Sequence, residues 1–204
     1  YVSTLKTDEH GAIYVNPERQ TVEANPNNNA YYIYAGQAAP RYNLSWGNAL
    51  SFKGVTLSAL LAYRNGGIVV SETQAILDYY GASEATQNAR NQGGVPINGK
   101  YINAQGYYQT VGNPNGTVDS RYVYSATNLR LAELSVGYDV PINRWVKWVK
   151  GLNVAFVANN LCMLYNKAPY DPEATSNTGT YYQGIDYFMQ PSLRTMGFNV
   201  KLKF

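Results

Sequence analysis

Few residues in this 204-residue chain are placed to do chemistry. Gly94-Val95-Pro96-Ile97-Asn98-Gly99-Lys100 has the spacing of a phosphate-binding loop. Such a loop needs an apolar strand before it, a helix after it and a Ser or Thr beside the lysine to hold Mg²⁺. Here Tyr101 follows the lysine and neither flanking element is evident, so the stretch reads as a turn-rich loop. Asp171, Glu173 and Asp186 could offer oxygens to Ca²⁺, yet the spacing of a calcium-binding helix-loop-helix is absent and solvated loop carboxylates account for them. No metal and no cofactor are expected. His10 is the single histidine and lies in the polar turn Asp8-Glu9-His10-Gly11, which removes a Ser-His-Asp triad. Cys162 is the single cysteine, so it forms no internal disulfide and reads as a small packed hydrophobe. Glycoside hydrolysis needs two carboxyl groups across one cleft, and the acids of this chain lie in separate loops.

What remains is aromatic. Tyr79-Tyr80, Tyr107-Tyr108 and Tyr181-Tyr182 fall in long loops, where flat rings with hydroxyl tips can stack on a sugar face and hydrogen-bond its edge. These six are the candidate substrate-binding residues; the plain alternative is that they pack the loops together or meet a partner. Twenty tyrosines and three tryptophans against 14% charged residues suit aromatic girdles at two membrane interfaces, or a sugar-stacking surface. The net charge of +3 is spread without a basic run, which gives nucleic acid nothing to bind.

The elements that must position these residues follow a period of two. Over 192–204, Met196, Phe198, Val200, Leu202 and Phe204 fall on one side, with Thr195, Gly197, Asn199, Lys201 and Lys203 on the other, which predicts a strand with one apolar face. Over 41–52 the apolar set is Tyr42, Leu44, Trp46, Leu50 and Phe52. Lys53-Gly54 then turns the chain into 55–64, where Val55, Leu57, Ala59, Leu61 and Tyr63 oppose Arg64, and the two stretches predict a hairpin. Over 128–140, Ala132, Leu134, Val136, Tyr138 and Val140 oppose Glu133, Ser135, Gly137 and Asp139. Over 152–163, Leu152, Val154, Phe156 and Ala158 oppose Asn153, Ala155, Val157 and Asn159.

Between the strands, the polar stretch 8–29 reads as a surface loop, with room for a small hairpin around Gly11. Ser71 has capping-box spacing for a helix over 72–80 that stops at Gly81, and Ser83 caps a second short helix ending near Arg90. The segments 65–121 and 165–191 are long, and 53–54 and 141–151 are short. No window approaches the roughly 18 apolar residues of a membrane-spanning helix, but barrel strands need only one apolar face, and tight turns alternating with long loops are what a transmembrane barrel produces. On that reading Leu44, Trp46, Leu57, Leu61, Leu134, Val136, Tyr138, Val154, Phe156, Phe198, Val200, Leu202 and Phe204 face lipid. Arg64, Glu133, Asp139, Asn153, Asn159, Lys201 and Lys203 face a polar lumen. Five strands are too few to close a barrel, for which about eight is the minimum. The chain is therefore expected to be incomplete, to pair with another polypeptide, or not to be a membrane barrel.

Six blocks carry a resemblance: Pro40-Arg41-Tyr42-Asn43-Leu44-Ser45-Trp46-Gly47-Asn48, Tyr63-Arg64-Asn65-Gly66-Gly67, the run from Ala126 to Tyr138, Ala158-Asn159-Asn160-Leu161, Tyr170-Asp171-Pro172-Glu173 and Pro191-Ser192-Leu193-Arg194-Thr195. In that order they resemble the C-terminal end of the SusC/RagA family, TonB-dependent outer-membrane transporters of Bacteroidetes-type bacteria. The resemblance implies an all-β fold, the C-terminal strands of a 22-stranded antiparallel transmembrane barrel with long extracellular loops, one of them carrying short helices. Residues 1–204 would be the C-terminal segment of that barrel, with the plug and remaining strands elsewhere. The implied partners are the rest of the transporter, a SusD-like surface lipoprotein, TonB acting on the missing N-terminal part, outer-membrane lipid, and an oligosaccharide or peptide substrate. Phe204 would lie at the periplasmic rim. The alternative from another class is a soluble extracellular β-sandwich that binds glycans; an enzyme acting on glycans is a third reading.

Overall fold

The structure, a computed structural model, describes residues 1–142, 145–146, 148–174 and 183–204. In chain order the elements are β1 (Val15–Asn16), β2 (Thr21–Val22), β3 (Tyr42–Phe52), β4 (Val55–Asn65), β5 (Ile68–Ser71), α1 (Glu72–Tyr79), α2 (Glu84–Asn91), β6 (Val95–Ile97), β7 (Lys100–Ile102), α3 (Ala104–Val111), β8 (Val123–Ser125), β9 (Asn128–Val140), β10 (Gly151–Asn166), β11 (Ile185–Asp186) and β12 (Thr195–Lys203). The chain divides into two units. One comprises Tyr1–Ala39, Ile68–Ser125 and Thr175–Met189; the other comprises Pro40–Gly67, Ala126–Ala174 and Gln190–Phe204.

The second unit is an antiparallel sheet in the order β12-β10-β9-β4-β3. Its nucleus is the β3–β4 hairpin, paired without a slip from Tyr42↔Asn65 to Phe52↔Val55. The turn is Lys53-Gly54, with φ of +48° and +84°. Two left-handed residues in succession give the turn whose twist matches that of the flanking strands, and glycine adopts that conformation at no steric cost.

The register turns the period of two into rows. Leu50, Leu57, Val136, Phe156 and Phe198 lie side by side across five strands, as do Phe52, Val55, Tyr138, Val154 and Val200. Leu44 pairs Tyr63, Trp46 pairs Leu61, Ala59 pairs Leu134, and Leu202 pairs Leu152 on the same face. Phe204, one residue past β12, stacks on Trp148 at 5.5 Å. The opposite face carries rows such as Ser51, Thr56, Gly137, Ala155 and Asn199. The apolar rows are open: Leu44 is 58% exposed, Trp46 60% and Phe198 78%.

Strict alternation fails in one half of the sheet. A bulge between Leu60 and Leu61 shifts the β4–β9 register, and two further shifts interrupt β9–β10. Leu131, rather than the expected Ala132, therefore joins the apolar row with Leu61 and Cys162. Ala132 is the extra residue on β9, and it exchanges the faces of that strand beyond it.

The first unit packs its own core of Leu5, Val22, Ala75, Ile97, Ile102, Tyr107, Val111, Val118 and Tyr122. The stretch 8–29 is thus no mere surface loop, since it carries the β1–β2 hairpin and the almost fully buried Val22. The stretch with phosphate-loop spacing is the β6–β7 hairpin, turned by Asn98 and Gly99 at φ of +50° and +77°. Ser71 and Ser83 cap α1 and α2 by accepting the N–H groups of Gln74 and Thr86. In α3, which periodicity did not announce, Asn103 caps by accepting the N–H of Gly106.

Replacing Gly54 by Val should lower stability by about 1–2 kcal/mol through the left-handed penalty, read as a lower unfolding midpoint of the intact protein. Gly54→Asn should cost less, because Asn tolerates that conformation.

Candidate functional site

On the polar face of the sheet, Asp139, Asn153 and Asn159 are held in hydrogen-bonded pairs. Asn153 donates to the Asp139 carboxylate at 2.7 Å, and Asn159 donates to the Thr195 hydroxyl at 3.1 Å. Glu133 pairs across the strands with Leu60 and Asn159, and the half-buried Arg64 pairs with Asn43 and Asn128. A buried ion cluster that the sequence did not announce stands on this face. Arg130 of β9 reaches Asp171 and Glu173, each at 3.0 Å, with the Arg130 and Asp171 side chains over nine-tenths buried. Asp171 also accepts the backbone N–H groups of Glu173 and Ser192, so one carboxylate ties the start of the 167–194 segment to its end. Burial pushes the Asp171 carboxyl up, but the hydrogen bonds from Ser192 and the Glu173 backbone, with the Arg130 charge, hold it below the usual carboxylate range. Asp186, in the other unit, accepts from the Ser71 hydroxyl at 2.8 Å. The three acids weighed as calcium ligands are therefore not assembled in one site, and the described residues hold no cluster of three metal-ligating side chains.

Four of the expected tyrosines, Tyr79, Tyr80, Tyr107 and Tyr108, lie in the first unit. The last turn of α1, α2 and α3 enclose a cleft of about 460 Å³, lined by Tyr79, Tyr80, Tyr108, Arg90, Gln105 and Gln109 among others. Successive helical residues point about 100° apart, so of two adjacent tyrosines only one can face the core. Tyr79 and Tyr80 accordingly meet edge to face at 5.1 Å, with Tyr80 exposed. Tyr107 and Tyr108 do the same at 5.1 Å, but Tyr107 points inward with Val111 and is 8% exposed. Tyr107 is thus a core residue with no free ring face to offer a ligand, which corrects its place among the candidate binding residues. Tyr181 and Tyr182 lie outside the described residues.

Beneath the cleft the buried Asp78 accepts from the Gln74 amide at 2.8 Å and from the Tyr122 hydroxyl at 3.1 Å. Burial and the Asp78 charge push the Tyr122 hydroxyl far up. Burial, then Asp78 and Tyr107, raise Tyr108 as well, so its hydroxyl keeps its proton and can donate. At the rim, Arg90 Nη1 donates to the Gly81 carbonyl at 3.1 Å, closing the end of α1. At the other end of α1, Glu72 and Asp119 form an acid pair. Ser3 bridges to Asp119, and the Thr117 hydroxyl donates to Glu72 at 3.3 Å. Burial raises both carboxyls, and the Asp119 charge adds to the shift on Glu72.

No helix among the described residues is long and apolar enough to cross a membrane. An antiparallel sheet with one open apolar face, carrying folded insertions, defines the class: a mostly-β protein built on antiparallel strands. Over its whole length the chain superposes on structures of the RagAB peptide importer, with TM-scores of 0.69 in the 'open-open' state and 0.65 in the 'closed-closed' state, at 16% and 15% identity. A further structure of the RagAB peptide transporter matches at a TM-score of 0.64 and 16% identity. The chain covers 22% of each of those chains, about a fifth of their length. At this identity the likeness is one of fold. No family model matches the chain, and no curated protein matches it by sequence.

Arg130→Met should cost about 3–5 kcal/mol, because it strands two carboxylates, and should speed proteolysis within 167–194. Asp171 titrates below its unfolded value of 3.8, so its contribution is present above that value and lost as pH falls through the lower folded one. The same protease assay should show the segment loosening in acid. Glu72 has the opposite sign. Its raised folded pKa makes the native state bind more protons, so stability falls as pH rises above the unfolded value of 4.5. Glu72→Gln should raise Tm at pH 8 by more than at pH 5.

Proposed function

We propose that residues 1–204 are the C-terminal segment of the barrel of a SusC-like TonB-dependent transporter, set in a bacterial outer membrane and importing oligosaccharides or peptides. The observation that carries this reading is the sheet's one open apolar face, continuous across five strands. A bilayer stabilises such a face at about 25 cal/mol per Å² of apolar surface removed from water. The rival reading, a soluble β-sandwich that binds glycans, needs a second sheet against those rows; Leu44, Trp46, Phe198 and Val200 are all more than half exposed.

Loop asymmetry supports the same reading. The connections 53–54 and 141–150 are at one end of the sheet, and the insertions 66–127 and 167–194 leave from the other. Short periplasmic turns and long extracellular loops have that arrangement, which would put Phe204 at the periplasmic rim. There the exposed Trp145 and the Trp148–Phe204 stack suit an interfacial aromatic belt. The outer edges of β3 and β12, without a partner strand among the described residues, would pair with the rest of the barrel. The missing strands would complete a 22-stranded wall around a plug. A SusD-like lipoprotein would close over the insertions, and TonB would act on the plug. In this scheme the wall and loops bind and confine substrate and do no covalent chemistry. That the structural neighbours are peptide importers supports a peptide as substrate.

Leu134, paired with Ala59 and Ala158 at the middle of the apolar face, tests the reading against its neighbour Ser135 on the other face. In the intact transporter, Leu134→Arg should cost about 2–4 kcal/mol in lipid and reduce folded protein in the outer membrane, while Ser135→Arg should assemble far better. Equal assembly of the two would overturn the membrane reading.

A further inference from the structure

The cleft in the first unit holds a charge that its fold does not use up. Arg90 makes no ion pair among the described residues, and its one hydrogen bond is to the Gly81 carbonyl. The acid in the same lining, Asp78, is committed to Gln74 and Tyr122. A guanidinium has five donors in a planar fork that matches a carboxylate, so most of this one's capacity stands open at an exposed rim. Beside it are the rings of Tyr80 and Tyr108, and the side-chain amides of Gln105 and Gln109, each able both to donate and to accept.

A neutral oligosaccharide would use the rings and the amides but leave the cation without a counter-charge. A short peptide with a free carboxylate would use all three. Its terminal charge matches the guanidinium, its last side chain matches the rings, and its peptide groups match the two glutamines. The volume of about 460 Å³ falls in the range of small-ligand pockets, enough for a few residues of chain.

We propose that this cleft binds the C-terminal end of a short peptide, with Arg90 holding the carboxylate, Tyr80 and Tyr108 holding the last side chain, and Gln105 and Gln109 holding the adjoining peptide groups. The assignment deepens the import reading and rests on it for its place in transport. It also gives Arg90 a role beyond closing the end of α1.

The test is calorimetric binding to the intact, detergent-purified transporter, using the heptapeptide Gly-Ser-Ala-Gly-Ser-Ala-Phe as free acid and as C-terminal amide. The acid should bind about tenfold more tightly than the amide, the difference expected for a charge-assisted bidentate contact. Arg90→Gln should bring the acid down to the level of the amide, and Arg90→Lys should keep part of the preference. Tyr80→Ala, which alters an exposed ring, should weaken both forms alike while leaving outer-membrane levels unchanged. Equal binding of acid and amide, no binding of either, or an acid preference that survives Arg90→Gln would overturn the proposal. So would Arg90-dependent binding of a uronic-acid oligosaccharide with no peptide binding. If the peptide results fail while Leu134→Arg and Ser135→Arg still differ in assembly, only the cleft assignment falls; if those two assemble alike, the import reading itself is lost.

Discussion

On the membrane reading proposed above, strand pairing in a medium without water is the constraint on which the rest depends. A backbone N–H or C=O left unpaired in hydrocarbon costs several kcal/mol, so a sheet that meets lipid must hand every edge to a neighbour. Among the described residues, β10, β9 and β4 each have partners on both sides, while β3 and β12 each have one. On that reading the open edges and the open apolar face have one explanation: the sheet would be stabilised as part of a larger closed surface. The residues that make it fit for such a surface, alternating Leu, Val and Phe against Ser, Thr, Gly and Asn, would be a liability on an isolated soluble domain.

The strands were largely legible in the sequence because their signal is local. A period of two needs no knowledge of distant residues, and the Lys53-Gly54 turn sets the register of the first hairpin by itself. The bulges were less visible, although Leu129, Leu131 and Leu134 break the step of two and mark where the face changes. The helix α3 leaves little trace in the sequence because Gly106 and two tyrosines weaken its propensity, and its stability comes from burying Tyr107 and Val111 in the core of its unit. Asn98-Gly99, a strong hairpin signal, was overshadowed by the spacing of the glycines and lysine around it.

The site was legible in composition but not in arrangement. Adjacent tyrosines announce aromatic surface, yet which ring of each pair turns outward depends on the helix beneath it, and for Tyr107 the expectation fails. Arg90 could not be singled out from sequence, since its place beside the rings is set by packing among three helices. The Arg130–Asp171 pair joins residues 41 apart in sequence, and only the fold shows that one acid closes both ends of a long insertion. The insertion 66–127 thus belongs to a folded unit with its own core, held by capped helices and short hairpins, rather than being slack chain between strands.

The register shifts of the sheet all fall on one side of the Glu133–Asn159 pair, in the half from which the insertions depart, while the half nearer the tight turns runs without interruption. Bulges concentrate twist and bending where they occur. The two halves therefore differ in geometry. One is an unbroken lattice of paired rows, and the other bends and twists locally where the insertions are rooted.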